Sequence, residues 1–218
     1  MVFTTQSLKN AALEALSVLL LAACLCLPWA SSARAAAPAE ITQLRTERGE
    51  EGVYLSAVVR FELPAVVEDA LLKGIAIYFV VEADVYRERW YWTDVRAASA
   101  ARTLRLAYQP LTGRWRVNIV PGLIASSSGL RATLSQNYDT MSEALSAIQR
   151  VAHWKIADAS EVEPGVPYML NLNFWLDLSQ LPRPFQIGVA GQREWAIAAQ
   201  SRDLLRLMPL PPAAEGGK

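Results

Sequence analysis

Apolar residues recur at every second position in several stretches of this chain and at every third or fourth in two others. Val53, Leu55, Ala57, Val59 and Phe61 fall on one side of an extended segment. The polar turn Gly49-Glu50-Glu51-Gly52 joins it to a weaker alternation over Ile41 to Arg48, which predicts a hairpin. Pro64 then opens a short helix, because its missing N–H costs nothing at a helix start. Val66, Val67, Ala70 and Leu71 make its apolar stripe, and Gly74 is placed to end it in a left-handed conformation. The strongest strand follows from Ile75 to Val85. Ile75, Ile77, Phe79, Val81, Ala83 and Val85 lie on its buried side, and Tyr78, Glu82, Asp84 and Tyr86 on a wetter one. The run Arg87 to Thr93 is β-prone and continues or pairs with this strand.

Thr103 to Tyr108 and Arg114 to Val120 flank Gln109-Pro110-Leu111-Thr112-Gly113, a second hairpin. Pro121 to Gly129 reads as a loop and Leu130 to Asn137 as a strand. Thr140-Met141-Ser142-Glu143 has the spacing of a capping box. Met141, Ala144, Leu145, Ile148, Val151 and Ala152 continue it as one helical stripe over 140–152. Trp154 to Ala159 is a strand and Glu161 to Pro167 a loop. Tyr168 to Leu178 is a strand with Leu170, Leu172, Phe174, Leu176 and Leu178 inward and Asn171, Asn173 and Asp177 outward. A last β-like segment is expected around Phe185 to Ala198, then a helical turn over Ser201 to Met208. Connections this short favour antiparallel neighbours. The fold class expected is mainly β (α+β): an antiparallel β-sandwich or curled sheet with two short helices. Strand, helix, strand occurs twice, at 53–85 and 130–159, as a weak internal echo.

The amino end follows another pattern. Lys9 precedes an apolar run from Ala15 to Leu27, then Pro28 and the small residues Ala35-Ala36-Ala37. This is the layout of a secretory leader. The run of about 13 residues falls short of the roughly 20 that span a bilayer. The expected division is a signal peptide over 1–37, one β-rich domain over 38–208 and a disordered tail over 209–218. Leu21-Ala22-Ala23-Cys24 also fits a lipobox, so lipidation at Cys24 and an uncleaved membrane anchor are the alternatives to cleavage near Ala35 or Ala37. The expected location is periplasmic, and a membrane enters only through one of those alternatives.

Both cysteines, Cys24 and Cys26, lie in this leader, so the domain has no thiol or disulfide chemistry. Of 21 basic and 21 acidic side chains, Lys9, Arg34 and Glu14 belong to the leader, which leaves the domain 19 and 20. That balance gives no long-range field for nucleic acid. His153 is the one histidine, and neither a Gly-x-Ser-x-Gly elbow nor a phosphate-binding loop occurs. No cofactor is implied. Glu82 and Asp84 point to one face about 7 Å apart. They fit a carboxylate-based hydrolase less well than a solvated face with Arg87 or Arg89 as counter-ions. The better surface candidate is Tyr86, Arg87, Arg89, Trp90 and Trp92, where rings and planar donor forks alternate, with Trp175 on the outward side of its strand as a second point.

Leu63-Pro64, the run Ala70 to Phe79, Glu82, Tyr86-Arg87, Trp90-Tyr91-Trp92-Thr93-Asp94, Leu181-Pro182-Arg183-Pro184-Phe185-Gln186 and Trp195 together resemble the exported proteobacterial proteins grouped as domain-of-unknown-function family 4390. The resemblance spans about residues 38 to 208. It implies a signal peptide and a gene often placed near a two-component sensor system. It carries no activity and no functional residue with it. The expectation is a non-enzymatic exported domain that binds a protein or a cell-envelope component. The alternative is a carrier of an apolar small ligand or lipid inside a curled sheet.

Overall fold

The structure, a computed structural model, describes residues 39–88, 94–123, 134–189, 193–205 and 208–209. Ten strands occur among them: β1 (Glu40–Arg48), β2 (Gly52–Arg60), β3 (Ile77–Arg87), β4 (Val95–Gln109), β5 (Arg114–Pro121), β6 (Leu134–Tyr138), β7 (Arg150–Asp158), β8 (Tyr168–Leu176), β9 (Ala198–Leu204) and β10 (Met208–Pro209). Three short helices join them: α1 (Ala65–Leu72), α2 (Met141–Gln149) and α3 (Arg183–Val189). Among the described residues no helix is long and apolar enough to cross a membrane.

The strands form two sheets, and the architecture is mainly antiparallel β. One has the order β10-β1-β2-β7, antiparallel except where β10 runs parallel to β1. The other has the order β6-β5-β4-β3-β8-β9 and is antiparallel throughout. β7 approaches β4, and β1 approaches β9, so the narrower sheet lies across the wider one. Alternation decides which side chains enter the layer between them. From β2 these are Val53, Leu55, Ala57, Val59 and, just past its end, Phe61, all buried. They meet Phe79, Val81, Ala83 and Val85 of β3, Leu104 and Leu106 of β4, and Leu170, Leu172 and Phe174 of β8. Phe61, Phe79 and Phe174 pack ring to ring, with centroids 5.3 to 5.6 Å apart.

Two β-α-β crossovers carry the chain between the sheets. β2-α1-β3 leaves the narrow sheet, and β6-α2-β7 returns to it. α1 buries Val67, Ala70 and Leu71 and stops at Gly74, whose φ of +83° suits the left-handed close. α2 opens with the expected capping box: Glu143 N–H donates to the Thr140 hydroxyl, and the Thr140 N–H donates to the Glu143 carboxylate. It ends at Gln149 rather than continuing to 152, because Val151 is drawn into β7 against Ala57 of β2.

Three other expectations are corrected. β4 begins at Val95, eight residues before Thr103; its alanine-rich first half lacks β propensity but is ordered by full-length pairing with β3. The order of elements after Pro182 is reversed. Arg183–Val189 is helical, with the Pro182 carbonyl accepting from the N–H groups of Phe185 and Gln186, and Pro184 in the first turn loses nothing. Residues 198–204 form a strand because β8 offers an open edge to pair. Pro209 belongs to β10 rather than to a tail. Residues 1–38 and 210–218 lie outside the described set.

Bulges on both neighbours of β2 meet it at one level. Gln43 and Leu44 of β1 face Ala57, and Ala152 and His153 of β7 face Ser56. Gln43 and His153 take positive φ, +53° and +41°, an uncommon state for non-glycine residues. The His153 N–H donates to the Ser56 hydroxyl, and its ring stacks on Tyr54 at 4.1 Å.

Candidate functional site

Two regions stand out in the six-stranded sheet, one on each face. The outward face takes the residues opposite in parity to the core: Tyr78, Val80, Glu82, Asp84 and Tyr86 of β3, with Met169, Asn171, Asn173 and Trp175 of β8 beside them. Thr103 and Arg105 of β4 and Gln200 and Arg202 of β9 extend it. Amides, carboxylates and guanidinium groups thus share one surface with partly exposed aromatic rings. Between β8 and β9 a shallow groove of about 300 Å³ is lined by Asn173, Phe174, Trp175, Ala198, Ala199 and Gln200. Trp175 is flanked by Val80 of β3 and Ala198 of β9. The principal neighbours of α2 are β5, β6, β2 and β7, so that helix does not take the covering role over Trp175 that its sequence position suggests.

The expected candidates divide by parity. Tyr86 is on the outward face opposite Met169, six residues along β8 from Trp175, which puts the two rings about 20 Å apart. Arg87 points to the other side, opposite Tyr168, and pairs with Glu163 at 3.5 Å. Glu163 is itself held, its N–H donating to the Tyr168 hydroxyl. Arg89, Trp90 and Trp92 lie outside the described residues, as does Cys24.

Glu82 and Asp84 do share the outward face, but Arg87 pairs with Glu163 instead of with them, and Arg89 lies outside the described residues. Arg96 of β4 approaches Asp84 at 3.6 Å, because the β3–β4 register shifts between Val85 and Tyr86 and brings Arg96 alongside. Asp84 is only 7% exposed, and its Oδ1 has no hydrogen bond. The Glu82 carboxyl is pushed above its ordinary value by burial first and by the neighbouring Asp84 charge second, with Arg96 pulling the other way. The pair has a cation beside it and no histidine: His153 is on the outer side of the opposite sheet, stacked on Tyr54. Among the described residues no group of three histidine, cysteine or carboxylate side chains is placed to hold a metal ion.

The second region faces inward and was not marked by sequence pattern. Arg102 of β4 stands between Val81 of β3 and Pro121 of β5, on the same side as Leu104 and Leu106. Its guanidinium carbon sits 4.9 Å from the ring centre of Trp154, which projects inward from β7 opposite Leu55. Nε of Arg102 is out of reach of water and has no hydrogen-bond partner. Burial lowers the pKa of the group to about 10, so it remains a cation at neutral pH. The signal that could have found it is strand phase. Carrying the inward set Leu106, Leu104 back by two reaches Arg102, but a strand begun at Thr103 stops one residue short.

The profile of the family described as "Domain of unknown function (DUF4390)" matches residues 36–204, most of the chain, and the chain belongs to that family. No curated protein and no solved structure matches it.

Proposed function

We propose that this member of the DUF4390 family is an exported, non-catalytic binding domain that takes a protein or cell-envelope component on the outward face of its six-stranded sheet. The observation that carries the reading is the groove beside Trp175. It offers one large ring, the amides of Asn173 and Gln200, and the small side chains Ala198 and Ala199 that let a partner approach the backbone. Rings of this kind give contact area at low entropic cost, and amides supply both donors and acceptors. The non-catalytic part is supported by the separation of titratable groups: Glu82 and Asp84 are on one exterior of the sandwich and His153 on the other, with two sheets between them. Export is supported by the leader pattern over 1–37.

The test places a photo-crosslinking residue at position 175, at 200, and at Leu111, a fully exposed turn residue, in cells expressing the full chain. Positions 175 and 200 are expected to give one shared envelope adduct, identified by mass spectrometry and lost in Asn173→Arg, while 111 gives none. Equal labelling from all three, or recovery of the unprocessed chain from the cytosol, overturns the reading.

A further inference from the structure

We propose that Arg102 and Trp154 form the head-group receptor for an apolar monocarboxylic acid, bound on the inward side of the wide sheet where β7 ends its cover. The site is on the opposite face from the Trp175 groove, so either can fail without the other.

A charged group taken from water is normally paired, because an unpaired one loses its hydration without return. Arg102 departs from that rule within its own chain. Among the described residues it has neither an ion pair nor a hydrogen bond; the guanidinium groups of Arg87, Arg96, Arg114 and Arg202 do have carboxylate partners. The undescribed segments offer little more. Of the 20 acidic side chains beyond the leader, all but Glu215 are among the described residues, and the internal segments 89–93, 124–133 and 190–192 contain none. The partner shown is the Trp154 ring, which covers one face of the half-buried guanidinium; Nε–H is buried and unmatched, and the in-plane fork has no protein acceptor among the described residues. That fork fits the two oxygens of a carboxylate.

The surroundings say what the carboxylate is attached to. Val81 and Leu104 flank Arg102 on the inward side and are buried. Continuing outward along the same side come Ile119 of β5, partly exposed, and Leu134 of β6, 56% exposed. β7 is the last strand of the narrow sheet, and β4 is the strand it approaches, so β5 and β6 extend past it, where α2 covers them in part and Ile119 and Leu134 stay accessible. A cation at the margin of the core with an apolar strip leading away matches an acid head and a hydrocarbon body. A single arginine matches a single negative charge, which favours a carboxylate over a phosphate dianion.

Calorimetric titration of the full-length protein with decanoate, acetate, 1-decanol and decyl phosphate tests this, alongside Arg102→Met and Arg102→Lys. Decanoate is expected to bind at one equivalent. Acetate, which lacks the body, and decanol, which lacks the charge, are expected to bind at least tenfold more weakly, and decyl phosphate no more tightly than decanoate. Arg102→Met should lose tenfold or more in decanoate affinity and respond equally to decanoate and decanol, and Arg102→Lys should fall between. Decanoate binding within twofold of wild type in Arg102→Met overturns the assignment, since it leaves the guanidinium a purely structural partner of Trp154. Equal binding of decanol and decanoate by the wild type overturns it without any variant. Tenfold preference for decyl phosphate refutes the monocarboxylate.

Discussion

Asp84 and Arg102 belong to neighbouring strands of one sheet, and each carries a charge wholly or partly withdrawn from water, yet the chain treats them differently. Asp84 is on the outward face, where a shift in register delivers Arg96 to it. Arg102 is on the inward face, where every neighbour named above is apolar and an aromatic ring stands in for a counter-ion. On the exterior, the sheet neutralises its own charge with its own side chains. On the inward side it leaves a half-buried cation whose Nε–H has no acceptor. An uncompensated charge of that kind lowers the stability of the empty protein, and it persists where something else supplies the missing partner.

Four substitutions sharpen or break this contrast, each read by thermal or urea unfolding. The largest effect is expected from Trp154→Ala, which removes a partly buried ring and the aromatic face stacked on the guanidinium. A loss of about 3 kcal/mol is expected, at the low end of the range for removing large aromatic side chains from a core. Arg102→Met should act in the opposite direction, raising stability by about 1–2 kcal/mol, or several degrees in Tm for a chain of this size. A loss of stability there would mean that the cation is compensated after all. The pH dependence carries the same information. The folded pKa of Arg102, about 10, lies below the ordinary arginine value, so the penalty is complete below about pH 10 and is relieved only as pH rises above it. The gain in Arg102→Met should therefore be constant across neutral pH.

Asp84→Asn keeps the shape and removes the attraction to Arg96; a loss of about 1 kcal/mol is expected, shrinking with added salt because Arg96 is largely exposed. The smallest effect is Glu82→Gln, a gain below about 0.5 kcal/mol at neutral pH. Its sign follows from the raised carboxyl pKa. The folded state holds the proton more tightly than the unfolded one, so stability contributed by the acid form is lost as pH rises through the folded pKa. The gain from Glu82→Gln should accordingly vanish below the ordinary value of 4.5.

Much of this sheet was legible before the structure. The alternation over 53–61 and 77–85, the hairpin about Gly113, the helix after Pro64 and the capping box at Thr140 are local patterns in which propensity, period and turn chemistry agree. Elsewhere the deciding partner is distant in sequence. Val95 to Arg102 is mostly alanine, serine and arginine and is a strand only because β3 is long enough to pair with all of it. Leu204, Leu205 and Met208 have helical spacing, but Ala198 to Leu204 is used as a strand to pair with β8. The same cause hid the inward site. Once β4 starts eight residues early, the parity that buries Leu104 also turns Arg102 inward, and no composition count reveals that. Parity also separates Tyr86 from Arg87, adjacent in sequence but on opposite faces of the sheet, as period two dictates.

The twin bulges beside β2 bear on how molecules of this protein coexist. The last strand of the narrow sheet, β7, is an open margin with nine residues of backbone, long enough to recruit a stranger. At His153 the chain swings through a left-handed turn and locks there, ring against Tyr54, so donors and acceptors along that margin fall out of step with any straight ribbon drawn up beside them. Crowded copies meet an irregular border instead of a template, which works against a second sandwich zipping onto the first along that side.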